Sequence, residues 1–151
     1  MPINYDRYPR HWPIIRNAVL IRAGGNEDNP IVGSCCAWCG VRNYSVGYTN
    51  PSGKFISDGK SYDVAADARK EARRLKDQTG DKYIAICLAI AHIHDPNTMN
   101  CSMDNLVALC QRCHHNLDLK LKKKHEALRK RKSQVAAGQL DIWISTPKEH
   151  Q

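Results

Sequence analysis

The chain has 151 residues, enough for one domain, and a chain of that length buries roughly 70% of its unfolded surface without staples. Apolar residues make up 42%, an ordinary share for a globular protein, and the longest apolar run, Tyr83 to Ala91, is far too short to span a bilayer. The net charge is +8, and 120–132 alone holds eight Lys or Arg against one Glu, a local +7 that leaves the rest nearly neutral.

The first residues, "MPINYDRYPRHWP", contain no apolar stretch, so no secretory signal is expected and the expected location is the cytoplasm. Residues 1–11 read as an irregular lead-in. Pro13 to Ala23 predicts a short helix with Pro in its first turn, an apolar set of Ile14, Ile15, Ala18 and Ile21, and Gly24-Gly25 as a stop. A loop, "GGNEDNP", leads to the cysteine turn "CAWCG". "YSVGYT" and "KFIS" flank "NPSG" and predict a hairpin. Ser61 or Asp63 is the expected cap of a helix running to about Gln78. Its narrow stripe is Ala65, Ala68, Ala72 and Leu75, and Gly80 ends it. "KYIAICLAIAHI" is rich in β-branched residues and predicts one strand. After the polar loop "HDPNTMNCSMD" come a second short strand, "NLVAL", and a long helix from about Cys110 to Ser133. No repeat, linker, P-loop, Rossmann fingerprint or G-x-S-x-G occurs.

Two of these elements carry metal-binding spacing. Cys36/Cys39 and Cys110/Cys113 are both C-x-x-C pairs, and in a cytoplasmic chain such pairs favour a metal over disulfides. Together they make a four-cysteine set for structural zinc, with 70 residues between the pairs that the hairpin and the alanine-striped helix would fill. A redox role for "CAWC" lacks its βαβ surroundings. Cys35 is an alternative to Cys36, although C-x-x-C-G makes the tighter turn. Cys87, within the apolar strand, is expected in the core; Cys101 has no assigned role. On a helix His114 and Asp118 are four apart and share a face, so they can share one metal ion. Asp118 could equally pair with Lys122, and His114 could be the fourth ligand of a three-cysteine zinc site. His115 points about a quarter turn away. The basic segment offers Lys120, Lys122, Lys123, Lys124, Arg129, Lys130, Arg131 and Lys132 as a stripe for phosphates, or simply as a solvated helix face.

The stretch "AHIHDPNTMNCSMDNLVALCQRCHHNLD", residues 91–118, resembles the HNH endonuclease motif. The positions matched are His92, Asn105 and His114. The two cysteine pairs are similar to the zinc-stapled branch, and "YPRHWPIIRNAVLIRAG" and the tail "AAGQLDIW" are similar to phage and prophage members. The resemblance implies an α+β protein: a ββα-metal nuclease core of a two-stranded hairpin plus helix, stapled by the four-cysteine zinc site, with added helices and a small hairpin. It implies one domain over 1–151, with its core at 81–132 and the basic helix at 120–132. It implies a one-metal DNA endonuclease in which His92 is the general base. Asn105 would hold His92 in register across the loop, and His114 with Asp118 would hold a divalent cation, Mg²⁺, Mn²⁺, Ni²⁺ or Zn²⁺. Ala91 stands where the family usually has a ligating Asp or His, so His94, two residues beyond His92, or Asp95, or water, would complete the coordination. The partner implied is DNA, with phage terminase or other packaging proteins as further candidates and no membrane. The location would be a bacterial host cell. The competing expectation is a non-catalytic zinc-containing DNA-binding or packaging accessory protein in which the basic helix carries the function.

Overall fold

The structure, a computed structural model, describes residues 5–136; the expected tail likeness, from residue 137 onward, lies outside them. The chain divides into two compact units, Met1–His115 and Asn116–Gln151.

A short 3-10 turn, Tyr5–Arg7, precedes α1, Trp12–Arg22. The buried stripe of α1 is Trp12, Val19 and Leu20, with Ile15 packed beside them. The expected set is corrected here: Ile14 is 72% exposed and Ile21 is exposed too. Apolar residues surround this helix, so Trp12, with the largest area to hide, sets which face turns inward. The glycine stop occurs as expected. The Gly25 N–H donates to Leu20 O at 2.9 Å, and a Cβ on Gly25 would lie 2.1 Å from Pro30 O, so only glycine fits.

Strands β1 (Ser45–Thr49) and β2 (Phe55–Ser61) form the expected hairpin. With β3 (Tyr83–Ala85) they make an antiparallel sheet ordered β2-β1-β3. Helix α2, Ala65–Thr79, packs Ala68 and Ala72 on Val46, with Leu75, Tyr83 and Ala85 around them. Gly80 closes α2 in the left-handed conformation, φ 78°, as its position predicts. Neither Ser61 nor Asp63 caps the helix. Its N-cap is Val64, without a side-chain bond, because β2 runs on to Ser61 and delays the helix start.

The apolar run expected as one strand is two. β3 pairs with β1, whereas β4 (Ala89–His92) pairs antiparallel with β5 (Leu106–Leu109) in a separate two-stranded sheet. The switch lies at Ile86–Leu88. Ile86 still bonds to the end of β1, donating to Ser45 O at 2.9 Å and accepting from Tyr44 N at 2.8 Å. The Leu88 N–H then donates to the side-chain oxygen of the buried Asn43 at 3.0 Å. That side chain ends the ladder with β1 and frees the chain to join β5. Cys87 falls in this link and is half-buried, not core.

The small sheet packs on α1. Register pairs Ile90 with Ala108 and His92 with Leu106, so these four share a face, and the core there is Trp12, Val19, Leu20, Leu106 and Ala108. After a 3-10 turn at Met103–Asn105 and β5, the chain enters α3, Gln111–Ala136. The expected order of strand, loop, strand, helix is present. Among the described residues no helix is long and apolar enough to cross a membrane.

Leu106 is fully buried, so Leu106→Ala should cost about 2–5 kcal/mol. Ile14→Ala should lie within about 0.5 kcal/mol of the parent. Urea unfolding of the zinc-loaded chain measures both.

Candidate metal centre

Cys36 and Cys39 sit on the turn that follows the α1 loop, where the Gly40 N–H donates to Cys36 O at 2.8 Å and the Cys36 N–H to Val41 O at 2.9 Å. Cys110 directly follows β5, and Cys113 lies in the first turn of α3. The Ala37 N–H donates to Ala108 O at 2.9 Å and docks the turn on β5 beside Cys110. The four sulfurs lie within 4.8 Å of one another. Cys36, Cys110 and Cys113 are buried and Cys39 is exposed.

This set fits zinc. Zn–S bonds of about 2.3 Å at tetrahedral angles put sulfurs about 3.8 Å apart. The Sγ atoms of Cys39 and Cys110 are 3.7 Å apart, far beyond a disulfide bond, and all seven cysteines are free thiols. Cys35 is outside the group; its Sγ points to Gly33 O at 3.3 Å. With four cysteines already converged, His114 is not needed as a zinc ligand.

The thiol chemistry agrees. Burial pushes the Cys36 thiol up, but hydrogen bonds from the backbone of Cys110, Cys39 and Trp38 and from the Cys39 thiol outweigh it and bring it down to about 7. Burial raises Cys39 and Cys113, and for Cys113 the neighbouring sulfurs raise it further. One thiolate therefore holds its neighbours protonated. A divalent cation among them removes that conflict, and all four can ionise.

Of the residues expected to cut, His92 ends β4, half-buried, with its ring nearly parallel to that of Trp12 (12°, centroids 6.3 Å apart) and 6.1 Å from Tyr8. Its Nε2 is buried with no hydrogen-bond partner. Burial lowers its pKa from the usual imidazole value, and the Asp95 carboxylate partly opposes this. Asn105 is buried and fully bonded. Its Oδ1 accepts from the N–H groups of His94 and Asp95, both at 2.9 Å, and its Nδ2 donates to Asp95 O at 2.9 Å and Asn100 O at 3.0 Å. It clasps the loop that leaves His92. The strand stops at His92, so His94 does not share its face as a continuing strand would require; it is exposed in the following bend. The Asp95 carboxylate accepts from Asn97 N at 2.9 Å and Asn100 Nδ2 at 2.8 Å, and these bonds, Asn100's first, hold its pKa down. Ala91 is buried on the opposite face from His92.

His114 is half-buried in the first unit, its N–H donating to Cys110 O at 2.9 Å; Asp118 is exposed on the part of α3 that belongs to the second. Among the described residues the four cysteines are the one group of three or more His, Cys, Asp or Glu side chains placed to hold a metal ion. In the second unit the eight basic residues of 120–132 are exposed. At 100° per residue they point all round the helix, so the expected stripe is a basic rod.

Sequence reading missed the packing on His92. Tyr8 and Trp12 lie against its ring, the Thr98 hydroxyl donates to Arg7 O at 2.7 Å, and the Arg22 guanidinium bonds Met103 O at 2.7 Å and also Leu106 O, on either side of Asn105. The available signal was "YPRHWP", aromatic residues ahead of a helix-opening proline.

Fold and site together define an α+β protein with two small sheets, three helices among the described residues, and a four-cysteine cluster able to chelate a metal ion. No protein-family model, curated protein or solved structure matches the chain.

The purified protein should hold one zinc per chain. Cys110→Ser should lose it and unfold, while folded His114→Ala should keep it. Because thiols shed protons on binding zinc, lowering the pH should drive the metal off. Metal analysis across a pH series reads these outcomes. By NMR, His92 should titrate below the ordinary value of about 6.5, and Asp95→Asn should lower its midpoint further by removing the opposing charge.

Proposed function

We propose that the chain is a zinc-stapled DNA-binding protein. The observation that carries this is α3, whose first turn supplies a zinc ligand and whose later turns expose eight basic side chains on every side. A major groove about 12 Å wide admits a helix and lines it with phosphates on both flanks, which suits a helix charged all round. Phosphate contact is indifferent to sequence, so broad specificity follows, as a DNA-handling accessory in packaging would need. Replacing Lys122, Lys123 and Lys124 with Gln should weaken binding to all duplexes alike. It should also flatten the slope of log K against log salt by up to about 2.7, roughly 0.9 for each phosphate no longer neutralised. An unchanged slope in an anisotropy titration would put the binding surface elsewhere.

A second reading, metal-dependent endonuclease of the HNH kind, is favoured by His92. Its lowered pKa keeps the imidazole neutral near pH 7, the form that takes a proton from water, and Asn105 fixes the loop that follows. In this reading His92 removes a proton from water, the oxygen attacks phosphorus, and the bond to the 3′ oxygen breaks. A divalent cation on the ligands the sequence singles out, His114 first among them, would stabilise the charge on the leaving oxygen. Supercoiled plasmid should be nicked with Mg²⁺ or Mn²⁺ and spared by EDTA at levels that leave the zinc in place. His92→Ala should lower the rate about 10²- to 10⁴-fold with DNA binding intact. Loss of cleavage in His94→Ala but not in His92→Ala would reassign the base. Tight binding without cleavage under any of these metals would leave the first reading alone.

A further inference from the structure

Beside His92 the first unit builds a recess that neither the metal centre nor the basic helix uses. Tyr8, Trp12 and Arg16 line one side, and Leu88 and Ile90 line another; its volume is about 380 Å³. A second recess shares Tyr8 and Trp12 and adds Arg10 and Asp6. The two rings stack on each other at 4.4 Å; Trp12 is buried, so Tyr8 is the ring with a face to offer, and Arg16 lines the first recess with it.

Each part of this recess has a chemical preference. An aromatic ring beside aliphatic side chains takes a flat, apolar-faced group. An arginine flanking such a group takes an anion. A nucleobase with its adjoining phosphate combines both, and every base has a face to stack, so no sequence is required. A paired base in a duplex already has both faces covered by its neighbours, whereas an unpaired base has one to offer. A neutral apolar ligand would make no use of Arg16, and a basic peptide would be repelled by it.

We propose that this recess receives one unpaired nucleobase, stacked on the half-buried Tyr8 ring, with an adjoining phosphate at Arg16. The inference rests on the nucleic-acid reading above and adds a substrate class, single-stranded or locally opened nucleic acid.

The test compares a single strand of roughly 12 nucleotides with a hairpin duplex of the same composition by anisotropy, using the full zinc-loaded chain. Tyr8→Ala should weaken single-strand binding about 5- to 150-fold, the range of one base stack, and leave duplex binding unchanged. Tyr8→Phe keeps the ring face and should stay within about twofold of the parent. Arg16→Gln should weaken the single strand and reduce its salt slope by about 0.7. Circular dichroism and zinc content report folding. If Tyr8→Ala does not fold, Arg16→Gln with Tyr8→Phe decides. Single-strand affinity untouched by the folded variants, in a protein that binds duplex, overturns this recess and leaves the nucleic-acid reading standing. A parent protein that binds neither probe overturns both.

Discussion

Four sulfur atoms drawn from two places 70 residues apart in the chain fix the geometry on which the first unit depends. Among the described residues two apolar clusters flank them, five buried residues around α1 and the small sheet and three between α2 and the larger sheet. A metal ion bound by all four would close a long loop and fix the end of β5, the start of α3 and the 36–39 turn in one step. It would also resolve the electrostatics of its own site, since four crowded thiols without a cation cannot all give up their protons.

The second constraint is smaller and lies at Asn43. Its side-chain oxygen takes the Leu88 N–H, and its own N–H donates to Ser34 O at 2.8 Å. Register places Ile86 opposite Ser45, the first residue of β1, so the ladder runs out there; past the Asn43 bond the chain leaves one sheet and enters another, and the face carrying Ile90 and His92 meets α1. His92 thus owes its place to an asparagine 49 positions earlier in the chain, and its closed surroundings to Trp12 at the start of α1.

Legibility in the sequence followed the range of the interaction. Gly24-Gly25 and Gly80 announced helix ends because a glycine stop is decided within a turn. The cysteine pairs announced a ligand set because spacing alone limits what C-x-x-C can do. The strand break at 86–88 was not legible, because the apolar pattern is uniform across it and the deciding oxygen comes from Asn43. The buried face of α1 was misread for a related reason. Ile14 and Ile21 are as apolar as Val19 and Leu20, and only the size of Trp12 chooses between the faces. The contacts of Tyr8 and Arg22 with the His92 and Asn105 region span more than 80 residues, where no period in the sequence can reach.

His92 is where binding and cutting make different demands. A buried imidazole with an unpartnered Nε2 is tolerable while neutral, and its lowered pKa reflects that. A base must also carry the proton it takes, and the imidazolium then needs a partner for each N–H. Asp95 offers charge from nearby, but its carboxylate is held by Asn97 and Asn100, and the ring's Nε2 has no bond to it. The missing partner would have to arrive with the substrate, as a phosphate oxygen or an ordered water. A purely structural histidine makes no such demand. Chemistry at this residue would therefore draw on nucleic acid, or on a water held by it, to complete the hydrogen bonding of the protonated ring.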